Sequence, residues 1–469
     1  MDSKLQLAGC LNTSDRESAS RLFKPRLFSP ASLVLVVAFA GCLVWFASFS
    51  YYGSFYRGWD AQLYYAHLRS AMLDYDLDCT NEIQSLTPGK QVFVVGKAWG
   101  GLPQTNDGSL VNIYTVGSSV VGVPGFVAGH VVALMTGHET DGYSRPYEFA
   151  VTLWYLLLVA LGCGALCSAM SPWVGDRPAW FAVLALFLGT NLVYYTGVLP
   201  LMNHGPSFAL MCFLIWLAMR LYQSPDRVLL WRAVSVVVFL LVLTRPTDAV
   251  MMIVLLPAAL RVIKTGWRPS VSNGLPVVLA VFAAAGVQLL VWRAVFGRWV
   301  TNGYSEWADG AGFDFANPMM PEILISGQGG GWLYHPLFAI GTLGLLAACC
   351  FVRGRDRGVW IVLAAGVVFH IGLYSFWVSW DSGDSFGNRI FINSAPLVAF
   401  GLAYLIHLAR RRAAVIACAS VLGLLVLSNA LLMAGFIQDV LPPRETADLP
   451  ALLDIQWQLI QDPKMGGKP

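Results

Sequence analysis

Six short clusters of polar and ionisable residues interrupt an otherwise apolar chain, and each contains side chains that can do chemistry. In the first, Tyr64 and His67 follow Asp60 at spacings of four and seven, so a helix running to about Leu73 puts all three on one face. A carboxylate placed there can take a proton from an attacking hydroxyl; the competing reading is an Asp that caps the helix Ala61 to Leu73. Asp76, Asp78 and Glu82 belong to the acidic run that follows, whose oxygens suit a divalent cation or make a solvated turn. His204 sits between two apolar runs, with Asn203 before it and Gly205-Pro206 after, and reads as a binding residue or as a hydrogen-bonder at a helix end. Arg245 lies in a tight Arg-Pro turn. Its planar, always charged fork suits phosphate oxygens, with pairing to Asp248 as the plainer alternative. The segment from Trp380 to Arg389 is Gly-rich and delivers an arginine to a helix entry, where backbone N–H groups and the guanidinium would make an anion site. The remaining clusters are the loop from Gly297 to Trp332 and Tyr334-His335-Pro336. Trp299, Tyr304, Trp307 and Trp332 offer flat faces to a sugar ring, or anchor helices at an interface. Lys90 and Lys97 are further cations, engaged or simply solvated.

The elements that must position these residues are membrane helices. The chain has 469 residues, 57% hydrophobic and 12% charged, against about 25% charged in soluble proteins, which excludes a soluble fold. Its repeated apolar runs match the ~20 residues a helix needs to cross hydrocarbon, and the alternation of a β-barrel is missing. The first run ends in Tyr51 and Tyr52 without a small-residue cleavage site, so it reads as a retained helix. A net charge of +3 gives no support to nucleic-acid binding. Most of the nine cysteines lie in apolar runs, and no disulfide is expected.

Arginine placement sets the orientation. Arg16, Arg21, Lys24 and Arg26 put the N-terminus in the cytoplasm, and Arg220 to Arg232, Arg261 to Arg268, Arg353 to Arg357 and Arg410 to Arg412 mark four inside loops. About eleven spans are consistent with that frame: 31–52, 148–170, 179–198, 206–221, 229–244, 248–263, 275–297, 333–352, 358–378, 390–408 and 413–436. Residues 1–30 form a cytoplasmic segment, 53–147 a long first outside loop, and 437–469 an outside tail read as a short surface appendage. The frame requires that Val111 to Met135, with Gly117, Gly122, Pro124 and Gly125, be only partly embedded or re-entrant. All six polar clusters then fall outside. No internal repeat is evident, which speaks against a transporter built from inverted repeats.

Taken in order, Trp59-Asp60-Ala-Gln-Leu-Tyr64-Tyr65, Asp76 to Glu82, Met202-Asn-His204, Arg245-Pro246, Gly330 to Pro336 and Ser385-Phe-Gly387-Asn-Arg389 resemble the bacterial members of the GT-C glycosyltransferase superfamily. These are similar to the protein O-mannosyltransferases and the lipid A aminoarabinose transferase. The resemblance runs from about residue 30 to 410 and implies an all-α polytopic fold in the plasma membrane. It also implies inverting transfer of a sugar from a polyprenyl-phosphate-linked donor to an extracytoplasmic glycan, lipid or protein. Membrane lipid would be a further partner; no cofactor is assigned, and a divalent cation is an option. The family places a catalytic acid soon after the first helix, and Asp60 fits that place. The usual pattern there is Gly-Asp or Asp-Glu whereas this chain reads Trp59-Asp60-Ala61, so a second acid would come from Asp76, Asp78 or Glu82. Tyr64, His67, Asp76, Asp78, Glu82, His204, Arg245, His335, Trp380 and Arg389 are the candidate substrate-binding residues. The alternatives are a transporter or flippase of lipid-linked glycans and a non-catalytic envelope assembly protein.

Overall fold

Apolar segments in hydrocarbon must satisfy every backbone N–H and C=O internally, and the runs of this chain do so as helices. The structure, a computed structural model, describes residues 27–53, 58–86, 93–94, 101–102, 108, 110–264, 266–307, 311–463 and 465. Lys90, Lys97 and the basic residues before Leu27 lie outside these. The first helix, α1 (Pro30–Tyr52), opens with reciprocal bonds between Ser29 and Ser32 and with Pro30 in its first turn, and closes at Gly53 with φ 74°. Next come α2 (Trp59–Arg69), α3 (Thr80–Leu86), α4 (Gly117–Thr136), α5 (Arg145–Val174), α6 (Asp176–Leu188), α7 (Leu192–Gly197), α8 (His204–Gln223) and α9 (Val228–Thr244). A 3-10 stretch, Pro246–Leu255, leads into α10 (Leu256–Ile263) and then α11 (Trp267–Phe296). Short α12 (Gly303–Trp307), α13 (Met320–Ile325) and α14 (Gly331–Tyr334) precede α15 (Pro336–Phe351), α16 (Arg357–Ser375), α17 (Phe391–Leu408), α18 (Arg412–Ile437) and α19 (Leu449–Gln461).

Among the described residues nine helices are long and apolar enough to cross a membrane, with α9 and α15 as shorter apolar helices. The chain is thus a multi-pass, all-α membrane protein, and the expected spans 229–244 and 333–352 fall on the two shorter helices. The expected span 179–198 is broken between α6 and α7. Asn429 of α18 explains how the break is tolerated, since its Nδ2 donates to Leu188 O at 2.8 Å and Thr190 O at 3.0 Å, which satisfies carbonyls that a helix end leaves open. The stretch Val111 to Met135 contains a continuous helix, α4, that runs through Pro124. A Cβ on Gly122, Gly125 or Gly129 would stand 2.5 Å from the Tyr155 hydroxyl, 2.8 Å from Trp154 Cβ or 2.6 Å from Tyr147 Cα. Bare glycine therefore lets α4 lie against the N-terminal half of α5, as small residues do in membrane helix packing. α15 and α17 approach in the same way at Gly341, Gly344 and Gly401.

The bundle has two chemically distinct ends. At one, the Arg261 guanidinium lies 3.8 Å from the Tyr222 ring centroid, the Tyr222 hydroxyl donates to Asp356 at 3.1 Å, and His407 Nδ1 is 2.8 Å from Val174 O. Pro30 belongs to that end too, since Gly164 of α5 packs on it while Leu156 packs on Gly41 and Phe149 on Trp45. The N-terminus of α1 and the arginine-rich loops thus share one end. The other end carries the polar clusters. The tail is more than a surface appendage there: α19 buries Leu452, Ile455 and Leu459, with Leu459 beside Gly435 of α18, and Arg444 reaches the loop before α17.

Candidate functional site

α2 begins at Gly58, whose backbone is left-handed (φ 78°) and provides no side-chain cap. Asp60, in the first turn, does not act as the cap: its Oδ2 lies 2.7 Å from Arg389 Nη1, with both side chains partly open at 20% and 24% exposure. Asp60 also gains from the positive end of its helix. One turn on, the buried Tyr64 ring packs 4.6 Å from Tyr114, which meets Tyr304 at 5.8 Å, and Tyr304 in turn meets Trp377 at 5.3 Å. Burial first, and then neighbours that include Asp60, hold the Tyr64, Tyr114 and Tyr304 phenols protonated. Their hydroxyls are therefore available as donors.

Arg389 is delivered by a loop that turns three times through left-handed backbone, at Ser382 (φ 63°), Gly383 (φ 59°) and Gly387 (φ 59°). Asn388 holds it closed: its Nδ2 donates to Trp380 O at 2.8 Å, while its Oδ1 accepts from the Ser382 hydroxyl at 3.0 Å and from Ile390 N at 3.1 Å. Trp380 is buried and serves here through its backbone carbonyl. Gly387 is required, because a Cβ there would meet His335 Nε2 at 2.2 Å. His335 is fully buried beside Phe386 and Phe338 and supports this loop from beneath, with no contact to Asp60.

Arg245 follows α9, and its Nη1 lies 2.8 Å from His204 Nδ1 while Nη2 donates to the Tyr374 hydroxyl at 2.7 Å. It forms no ion pair with Asp248, the alternative expected from sequence. Asp248 is buried instead in its own cluster, accepting from the Ser207 hydroxyl at 2.6 Å and Asn393 Nδ2 at 2.5 Å, with His370 Nε2 at 3.5 Å. Arg245 and Arg389 both act electrostatically on Tyr64, Tyr304 and His204, so the two guanidiniums flank the same side chains. Arg389 pairs with Asp60, not with the nearby Asp384.

Other candidates are used elsewhere. His67 is buried, 3.3 Å from Tyr114 O and 3.6 Å from Cys79 Sγ, and burial lowers its pKa to about 4, so it is a neutral brace between α2 and residues 79–114. Asp76 accepts from the Ser70 hydroxyl at 2.7 Å, and Asp78 accepts from Thr80 N at 3.0 Å at the start of α3. Glu82 is fully buried, 2.6 Å from Arg69, which also pairs with Asp74. Burial, opposed by Arg69, pushes the Glu82 carboxyl up to about 7. The acidic run thus folds around Arg69 and a helix start. Among the described residues no group of three or more His, Cys, Asp or Glu gathers as a cation site.

The structure therefore brings Asp60, Tyr64, His204, Arg245 and Arg389 together, and leaves His67, Asp76, Asp78, Glu82 and His335 as supports around them. It adds Tyr114 and Tyr374, which apolar or loop context hid, and draws in Tyr304, one of the aromatics that the sequence offered. Ser207, Asn393 and His370 had a legible signal, since polar side chains within apolar spans usually face a cavity or one another.

No family model and no curated protein sequence matches the chain. Among the solved structures that align with the chain are two membrane enzymes. The oligosaccharyltransferase of Archaeoglobus fulgidus in its apo form is 12% identical with a TM-score of 0.49, over 87% of this chain and 56% of that one. ArnT from Cupriavidus metallidurans bound to undecaprenyl phosphate is 15% identical with a TM-score of 0.46, over 91% of this chain and 75% of that one. The chain spans little more than half the length of the archaeal protein.

Proposed function

We propose that the cluster of Asp60, Arg389, Arg245 and their tyrosines is the active site of a membrane glycosyltransferase that moves a sugar from a polyprenyl-phosphate-linked donor to an extracytoplasmic acceptor. One observation carries this reading: a partly open carboxylate, Asp60, stands 2.7 Å from one arginine, and a second arginine, Arg245, acts on the same tyrosines, Tyr64 and Tyr304. Transfer from a lipid phosphate needs a base for the incoming hydroxyl and cations for the departing phosphate. Asp60 takes the proton as the acceptor oxygen bonds to the anomeric carbon from the face opposite the leaving group. The bond from that carbon to the phosphate oxygen breaks, and its electrons remain on the lipid phosphate held by Arg245 and Arg389. Arg389 holds Asp60 in the resting site, and the donor phosphate would compete for that guanidinium and release the carboxylate. The tyrosine hydroxyls would bond to sugar oxygens.

The arginine-rich end faces the cytoplasm in this reading and the site faces outward, in line with the retention of positive loops inside. The deciding experiment is turnover of extracted polyprenyl-linked sugars by purified protein in lipid. Release of free lipid phosphate with labelled acceptor supports the reading. Movement of the intact lipid-linked sugar across the bilayer without transfer would replace it with a flippase.

A further inference from the structure

The loop that delivers Arg389 is held on two sides, and the second side is the C-terminal arm. After α18 the chain turns at Asp439 (φ 59°), passes Pro442 and Pro443, and brings Arg444 back over the site end. Arg444 Nη2 donates to Ser385 O at 2.5 Å, and Nη1 donates to Asp381 O and Gln328 O, each at 3.4 Å. These are carbonyls of the 381–389 loop and of the turn before α14. The arm also packs tightly at Gly327, where a Cβ would stand 1.9 Å from Ala447 O and 2.8 Å from Arg444 O. From the opposite side His335 fills the space that only Gly387 leaves open.

A guanidinium spent on backbone carbonyls, with no ion pair among the described residues, acts as a cross-link between segments. Its planar fork can hold several carbonyls at once, which a single-point ammonium cannot. The loop needs such a link because three of its residues sit in left-handed backbone, and Arg389 leaves the loop only four positions after Ser385.

We propose that Arg444 is a positioning residue: by fixing the 381–385 carbonyls it sets where Arg389 meets Asp60, so the C-terminal arm is part of the frame of the site. The activity readout of this proposal rests on the glycosyltransferase reading above, while a labelling readout does not. Asp384 is exposed at the tip of the loop, and an Asp384→Cys variant reports loop opening through its reaction with a membrane-impermeant maleimide. Arg444→Ala and Arg444→Gln in that background should raise the labelling rate by about fivefold or more, as local opening becomes easier. Arg444→Lys should fall between them and the parent. In donor turnover Arg444→Ala should lower kcat/KM about tenfold, but should add under about twofold to an Arg389→Ala variant, because coupled residues are not additive.

Unchanged labelling in both Arg444→Ala and Arg444→Gln overturns the proposal, as does a full tenfold loss on top of Arg389→Ala. If Arg444→Ala does not accumulate in the membrane, Arg444→Gln decides. Raised labelling in a protein that never turns over lipid-linked sugar overturns the activity reading and leaves the positioning role standing.

Discussion

Asp60 and Arg389 lie at opposite ends of the chain and 2.7 Å apart in space, and the sharpest predictions concern what each gives up when changed. Asp60→Asn keeps the size of the side chain and much of its hydrogen bonding but cannot accept the proton. The variant should insert, bind donor and transfer sugar at least ~100-fold more slowly, as expected for loss of a base. Near-normal transfer would leave Asp60 as no more than the partner of Arg389. Arg245→Ala and Arg389→Ala should each weaken donor use by about 1.5–3 kcal/mol, the worth of a charge-assisted hydrogen bond. Titration of donor in the turnover assay reads this directly, and lysine at either position should recover only part of the loss. Glu82 gives a pH prediction of different origin. Its folded pKa, about 7, lies above the 4.5 of an ordinary glutamate, so the folded state binds the extra proton between those values. Stability of the outer segment should therefore fall as pH rises from about 4.5 through 7. Thermal unfolding at pH 5 and pH 8 should show that slope, and Glu82→Gln should flatten it.

At the scale of elements, the glycines of α4 matter as much as the charged residues. A Cβ on Gly117 would stand 2.1 Å from Thr244 N, directly before Arg245. Neither neighbour is a flexible side-chain tip, so Gly117→Val forces the start of α4 away from the end of α9. The expected destabilisation is about 1–3 kcal/mol, typical of overpacking, seen as earlier thermal aggregation in detergent. Donor use should fall with it, because Arg245 moves with the end of α9. Gly274, in α11, has open space around its Cβ, and Gly274→Ala should leave both quantities unchanged. Equal behaviour of the two variants would show that α4 does not govern Arg245.

The whole molecule makes a prediction about sidedness. The exposed positions 384 and 316 belong to the end with the site, and 353–357 and 410–412 to the end where Tyr222, Arg261 and His407 converge. Single cysteines at the first pair should react with an impermeant reagent from outside, and those at the second set only after the membrane is opened. Labelling of position 384 only from the cytoplasmic side would put the site on the wrong face for an extracytoplasmic acceptor.

Much of this was legible in residue order alone, and the boundary of what was legible has a physical cause. Length and polarity of the apolar runs determined an all-α membrane protein, because hydrocarbon tolerates few backbone solutions. Arginine placement marked one end of the bundle, and the polar clusters marked the other. The candidates Asp60, Tyr64, His204, Arg245 and Arg389 came from residue type. Their convergence, however, is a property of helix packing between segments distant in the chain, and no local pattern encodes it. The same holds for residues that resembled ligands. Glu82 is drawn to Arg69, and His67 and His335 into braces, because a buried polar group takes the nearest partner or contact that folding supplies, while the exposed Asp76 and Asp78 bond to Ser70 and Thr80 beside them. The break between α6 and α7 depends on Asn429, far along the chain, whose amide satisfies the open carbonyls. The tail read as an appendage because its prolines are a local signal, while the bonds of Arg444 to Ser385, Asp381 and Gln328 exist only once the folded bundle has brought those carbonyls within reach.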